Sequence, residues 1–228
     1  MDEHSKYTDI NAVMLRAEAD LVSIEKKYQD CLNKQTPPDD LLVEVKDCLG
    51  NMRSALDYLW CKVPNAGNGA HFPIANTQKE FENKTNGIEQ KYLAVVEKLQ
   101  PHNGNSWLKD FGYIRNKNVH VKLVPQIRQE TKEFSVKSGG ASATFRGCTF
   151  NSDIALISFG DVPMHVDQKT QFPIDTPGLD IERVTWVDFL FDGSSISSDF
   201  PEGISVLPFL KQSFVNTKTI LFDIEKII

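Results

Sequence analysis

From Ile10 to Val63 apolar residues return at alternating steps of three and four, and this constrains the fold more than anything else in the chain. The first series is Ile10, Met14, Ala17, Leu21, Ile24, Tyr28 and Cys31; the second is Leu42, Val45, Leu49, Met52, Leu56, Leu59 and Val63. Such a period places each series along one face of an α-helix. Two helices of about 24 residues, each about 36 Å long, are therefore expected. Between them, Lys34-Gln35-Thr36-Pro37-Pro38 stops the first helix, because proline lacks the amide donor and clashes with the preceding turn. Asp39 or Asp40 is the expected N-cap of the second. A loop this short predicts an antiparallel helical hairpin. Gly50, inside the second helix, costs about 1 kcal/mol relative to alanine and predicts close approach of a neighbouring backbone.

Residues 64–87 are rich in Asn, Gly and Pro and read as a loop, pinned to the helices by His71-Phe72-Pro73-Ile74. A third helix is expected with Ile88, Tyr92, Val95, Val96 and Leu99 inward, ended by Gln100-Pro101-His102-Asn103-Gly104. A fourth begins near Asn105 or Ser106, with Trp107, Leu108, Phe111 and Ile114 as core residues. Four such stripes are most simply satisfied by a bundle. Beyond Val124-Pro125 the texture changes. Phe134-Ser135-Val136, Ala143-Thr144-Phe145, Ile154 to Phe159 and Val184 to Phe191 are β-branched or aromatic, with turn residues between them at Gly139-Gly140, Asn151-Ser152-Asp153 and Asp192-Gly193. That pattern predicts an antiparallel sheet, with Gly139-Gly140 as a hairpin turn. Helical spacing returns in Leu207, Leu210, Phe214, Thr217, Leu221, Ile224 and Ile228, with Pro208 in the first turn and Ser205 as the cap. The expected class is α+β: a helical bundle over residues 1–124, then a β-rich region with a C-terminal helix over 125–228.

The chain has 228 residues, 40% apolar and 25% charged, enough for a full core and unlike a disordered chain. It contains no apolar run of about 18 residues, so no membrane span is expected. Met1-Asp2-Glu3-His4-Ser5-Lys6 has no basic segment followed by an apolar one, which argues against a secretory signal and for the cytoplasm. Cys31, Cys48, Cys61 and Cys148 form no Cys-x-x-Cys pair and read as buried free thiols. His71, His102 and His165 have no paired spacing for a metal, and no cofactor motif is present. The formal net charge is −6, yet Trp107 to Arg128 carries five bases and one acid. A local basic patch on an acidic protein attracts polyanions.

That patch holds Arg115-Asn116-Lys117-Asn118-Val119-His120. A guanidinium grips a phosphate through two donors and stays charged. An imidazole exchanges a proton near neutral pH. Together they suit attack of a ribose 2′-hydroxyl on its own phosphodiester, with no metal required. Residues four apart on a helix, such as Asn116 and His120, share a face; residues five apart diverge by about 140°. Arg115 would therefore have to curl round the helix or act across a dimer. A helical bundle carrying Arg, a polar residue, a few positions and then His resembles the HEPN (higher eukaryotes and prokaryotes nucleotide-binding) superfamily, over roughly residues 7–124. Many members are metal-independent ribonucleases of toxin–antitoxin or antiphage systems. The resemblance implies Arg115 and His120 as the catalytic pair, Asn116 as polar helper, and a homodimer sharing one RNA cleft.

A second resemblance rests on Arg53-Ser54-Ala55-Leu56-Asp57-Tyr58, Phe72-Pro73-Ile74 and Leu99-Gln100-Pro101. These look like a group of uncharacterised bacterial proteins in which the segment after the fourth helix reads Asp-Lys-His-Arg. Here that segment reads Asn118-Val119-His120-Val121, so the histidine is present without its charged neighbours. In that setting His120 would tie the helix end to the sheet. Arg53 and Asp57, four apart, form a surface helix pair or a buried polar pair facing His71 or His120. With Lys117 and Lys122 they are the candidate substrate-binding residues. The leading expectation is a metal-independent RNA endonuclease or RNA-binding module. The alternative is a non-catalytic dimeric protein that binds a protein partner, antitoxin-like in character, or a small ligand.

Overall fold

The computed structural model describes residues 7–32, 37–150, 155–193 and 203–228, and the side chains of these except 155–157. The stop at Lys34-Gln35-Thr36, the turn at Asn151-Ser152-Asp153 and the hexapeptide Met1 to Lys6 lie outside the described residues. The fold is α+β. Six α-helices and two antiparallel sheets are formed among the described residues.

The chain divides into two compact units: residues 1–127 with 189–228, and residues 128–188. In the first unit, α1 (Thr8–Cys31) and α2 (Asp39–Trp60) are the long helices predicted by the apolar period. Ile10, Met14, Ala17, Ile24, Tyr28 and Cys31 are buried from α1, while Leu21 is only partly covered and Asp20 is buried beside it. In α2 the stripe starts from Leu41, not Leu42. Pro38, in extended conformation, is the N-cap, and Asp39 and Asp40 fall in the first turn, where carboxylates favour the positive end of the helix dipole. A Cβ added at Gly50 would meet nothing within 4 Å, so the expected close backbone approach is absent there.

After α2 the loop contains a short helix the apolar pattern does not announce, α3 (Gln78–Lys84). Its signal is a capping box: the Thr77 hydroxyl accepts from the Glu80 amide at 3.2 Å, and the Glu80 carboxylate accepts from the Asn76 amide at 2.9 Å. The third and fourth expected helices are α4 (Gln90–Glu97) and α5 (Ser106–His120), with a 3₁₀ turn at Pro101–Asn103 between them. The last helix, α6 (Val206–Glu225), has Ser205 at its N-cap position. α2 is the central element and packs on α1, α5 and α6; α6 also packs on α1 and α4. The core of this unit therefore combines residues from both ends of the chain, among them Leu49, Met52, Leu56, Phe111, Leu210 and Ile224. Among the described residues no helix is long and apolar enough to cross a membrane.

The strands are β1 (Gln126–Ser138), β2 (Ala141–Arg146), β3 (Ala155–Phe159), β4 (Val162–Asp167), β5 (Phe172–Pro173), β6 (Asp180–Phe191) and β7 (Ile204–Ser205). They form sheets of order β2-β1-β6-β7 and β3-β4-β5. β1 and β2 pair with Ser138 opposite Ala141, so Gly139-Gly140 is the two-residue hairpin turn read from the sequence. Both glycines have positive φ, 55° and 85°, as that tight turn requires. Within residues 128–188 a small core forms from Phe134, Val136 and Met164, with Phe134 and Phe145 stacked at 4.8 Å. Cys148 is exposed and Cys61 half-buried, in contrast to the expectation of four buried thiols; Cys31 and Cys48 are buried. Cys148 lies past the end of β2, where no element among the described residues covers it.

Candidate functional site

The first unit contains a cavity of about 770 Å³, walled by α2, the loop over residues 66–76, and α5. This volume is within the usual range for a small-molecule or nucleotide site, about 300–1,000 Å³.

The α2 wall is Arg53, Asp57 and Trp60. Arg53 and Asp57 are one helical turn apart, so their side chains meet. Arg53 Nη2 lies 2.9 Å from Asp57 Oδ1, and Arg53 Nε donates to Asp57 Oδ2 at 3.2 Å. The pair is not a solvated surface bridge: the side chains are 12% and 18% exposed. Its remaining capacity holds the loop. Arg53 Nη2 donates to the Phe72 carbonyl at 2.9 Å, and the Phe72 amide donates to Asp57 Oδ1 at 2.8 Å. His71 Nδ1 is 3.2 Å from Asp57 Oδ2. Burial pulls the Arg53 guanidinium below its ordinary range; Asp57 opposes that and the nearby charge of Arg115 adds to it.

The other end of the loop is held by Gln100, which is fully buried. Its amide nitrogen donates to the carbonyls of Pro73 at 3.0 Å and Val96 at 3.2 Å, and its oxygen accepts from the Ala75 amide at 2.8 Å. Arg53-x-x-x-Asp57, Phe72-Pro73-Ile74 and Leu99-Gln100-Pro101 are thus three parts of one device. Two helical segments satisfy the backbone of the loop between them, which a buried loop requires. Phe72 packs edge-on against Trp60 at 5.8 Å. Ile74 lies against α5 at Gly112, where an added Cβ would stand 3.1 Å from Ile74 Cδ1. Gly112, not Gly50, is the glycine that permits a close approach.

The α5 wall carries Lys109, Gly112, Tyr113, Asn116 and His120 at helical spacing, together with Arg115. Leu108, Phe111, Ile114 and Asn118 are buried on the other side of the helix. The predicted catalytic residues Arg115, Asn116 and His120 therefore line one cavity. Arg115 Nη1 donates to Asn116 Oδ1 at 3.1 Å, and the side chain also borders a second hollow with Arg16, Asp47 and Val119. Its Nε is buried without a hydrogen-bond partner. The tie between the end of α5 and the following segment is made by Asn118, whose oxygen accepts from the Val124 amide at 2.9 Å. His120 does not make it; it is exposed at the rim of the cavity.

Of the predicted binding residues, Arg53 and Asp57 line the cavity and Lys117 and Lys122 do not. Lys117 lies 6.0 Å from the Tyr113 ring, and Lys122 is exposed beyond the helix end. Lys84 and Lys109 take their place in the lining. Lys84 is held by the Ile74 carbonyl and Glu80, both at 2.6 Å. Lys109 and Tyr113 had a signal in the sequence, the polar stripe 109-113-116-120 running opposite the apolar one. Lys84 had only the Thr77 to Glu80 capping box, which marks the start of α3 and not the cavity. Among the described residues lining the cavity, Asp57 is the one carboxylate, set against four basic side chains. No group of three or more His, Cys, Asp or Glu side chains with metal-holding geometry is present among the described residues.

No family model, curated protein or solved structure matches this chain.

Proposed function

We propose that the cavity binds and cleaves an RNA phosphodiester without a metal ion, on a helical framework of HEPN type. The observation that carries this reading is the shared lining: Arg115, Asn116 and His120 border the same basic cavity as Arg53, Lys84 and Lys109. The one carboxylate there is occupied by Arg53, His71 and the Phe72 amide, so the field felt by a ligand is positive. The Arg115 guanidinium on the cavity lining is a fixed positive charge that suits a phosphate. Arg115 and Arg53 hold the phosphate, Asn116 orients Arg115, and His120 takes the proton of the attacking 2′-hydroxyl. Exposed Tyr113 offers a ring for a base to stack on.

Purified protein should cleave single-stranded RNA in the presence of EDTA and leave 2′,3′-cyclic phosphate ends. His120→Ala should lower the rate about 10²- to 10⁴-fold, the usual contribution of a positioned acid or base. Equal cleavage by the variant would reject the assignment of His120, and absence of cleavage by the native protein would reject the enzyme. RNA binding without cleavage would leave a binding module.

A homodimer belongs to this reading. Leu15 and Val22 are seven residues apart on α1 and each 66% exposed, an apolar pair that a second copy would cover. The same pair favours the second reading, a non-catalytic interaction protein with a protein partner.

A further inference from the structure

We infer that His71, fixed by Asp57, is the second proton-transfer group of this site and protonates the leaving 5′-oxygen; this rests on the RNA-cleaving reading above. The geometry supplies the case. Asp57 is anchored by Arg53 and by the Phe72 amide, so it has no freedom to turn away. Its Oδ2 faces His71 Nδ1 at 3.2 Å. A carboxylate in that position accepts a hydrogen bond from Nδ1–H, fixes the ring and directs Nε2 outward. The His71 side chain is 80% exposed while Asp57 is 18% exposed, so the anchor is shielded and the ring is accessible. His71 Nε2 makes no hydrogen bond among the described residues, and the ring lines the cavity that His120 also borders.

Transesterification needs two proton movements. The 2′-oxygen forms a bond to phosphorus and gives its proton to His120. The bond from phosphorus to the 5′-oxygen breaks, and that oxygen takes a proton from His71 Nε2. The products are a 2′,3′-cyclic phosphate and a 5′-hydroxyl; His120 ends protonated and His71 neutral, and exchange with water resets both. A lone histidine would have to serve both oxygens, on opposite sides of an in-line phosphorus. A second histidine, reached from α2 and its loop and facing one carried by α5, removes that demand. On this assignment Arg53 is a positioning residue for Asp57 as well as a phosphate contact.

The test uses the full chain in EDTA, with two substrates. One is a short single-stranded RNA. The other is a uridine 3′-phosphodiester whose leaving group is 4-nitrophenoxide, which departs without a proton. His71→Ala and His71→Gln should each slow RNA cleavage about 10²-fold or more, yet leave release of nitrophenoxide within about threefold of native. His120→Ala should slow both. Truncating so exposed a ring leaves the core intact, and the glutamine variant keeps a polar group of similar reach. If both His71 variants cleave RNA at the native rate while His120→Ala does not, His71 has no such role and the ribonuclease reading stands. If both substrates slow equally in the His71 variants, His71 binds and does not donate a proton, and the inference fails. If the native protein cleaves neither substrate, the ribonuclease reading itself falls, and this inference with it.

Discussion

Asp20 lies on the inner side of α1 with its side chain 4% exposed, within 2.9 Å of Arg16 Nε and 3.0 Å of Asn51 Nδ2. Burial raises its carboxyl above the ordinary aspartate range, against the opposing pull of Arg16 and Asn51. The folded chain therefore holds that proton more tightly than the unfolded chain does. The site is most favourable below the ordinary aspartate range, and its cost grows as pH rises through the raised folded value. Asp20→Asn removes that cost while keeping an oxygen for Asn51. At pH 7 the variant should unfold at higher urea than the native protein, and the gap should close at pH 3. A less stable variant at pH 7 would show that Arg16 and Asn51 outweigh burial. The nearby Cys48 thiol is pushed up to about 12, by burial first and by Asp20 second. An alkylating reagent at pH 8 should thus modify Cys148 rapidly in the native protein and reach Cys31 and Cys48 only on unfolding, as peptide mass mapping would show. Asp57 is different in kind. It closes the contacts of Arg53 and of the Phe72 amide, so Asp57→Ala should cost about 2–4 kcal/mol by leaving the Arg53 charge without its carboxylate and the Phe72 amide unpaired, measured by urea unfolding.

Among the elements, the loop over residues 71–77 is the one whose placement decides whether a site exists. It has little helix or strand of its own up to Thr77, and its polar backbone is satisfied from α2 on one side and from Gln100 on the other. Gln100→Ala removes hydrogen bonds to the Pro73 carbonyl and the Ala75 amide inside the core. It should destabilise the protein by about 2–4 kcal/mol and, on the proposed ribonuclease reading, reduce cleavage in step with the displaced loop. Gly112→Leu would drive a side chain into Ile74, which already stands 3.1 Å from an added Cβ. A cost of about 1–3 kcal/mol is expected, and on the proposed reading RNA binding is lost as the loop lifts from α5. Gly50→Ala, with open space around it, should stabilise α2 by up to about 1 kcal/mol. The opposite signs of these two glycine substitutions make a direct check of which one the packing needs.

At the scale of the molecule, α6 completes the core of the helical unit. α6 buries Phe209, Leu210, Phe214, Ile220, Leu221 and Ile224, and it packs on α1, α2 and α4. A fragment of residues 1–124 contains every residue of the cavity lining, yet it lacks this cover. It should give the broad near-ultraviolet spectrum and dye binding of a loosely packed state, and should recover a cooperative transition when residues 203–228 are joined to it. The unit of residues 128–188 has the smaller core, so its amides should exchange faster than those of α1, α2 and α6. If the exposed pair Leu15 and Val22 lies in a homodimer, the double replacement Leu15→Glu with Val22→Glu should halve the mass seen by sedimentation without lowering the unfolding midpoint.

By itself the sequence determined the helices of the apolar stripes, the Gly139-Gly140 hairpin and the α+β class. Each is set by a local period or a local backbone requirement, and those are written in consecutive residues. It also placed Arg115, Asn116 and His120 on one helix end and singled out Arg53 and Asp57. Only the tertiary structure decided that these meet around one cavity, that Lys84 and Lys109 line it in place of Lys117 and Lys122, and that Asn118 rather than His120 ties down α5. Those outcomes depend on which residue distant in the chain fills a backbone donor or an open face. Asp57 and Phe72, Gln100 and Pro73, and Gly112 and Ile74 are such pairs, and no period along the chain records a match made across it.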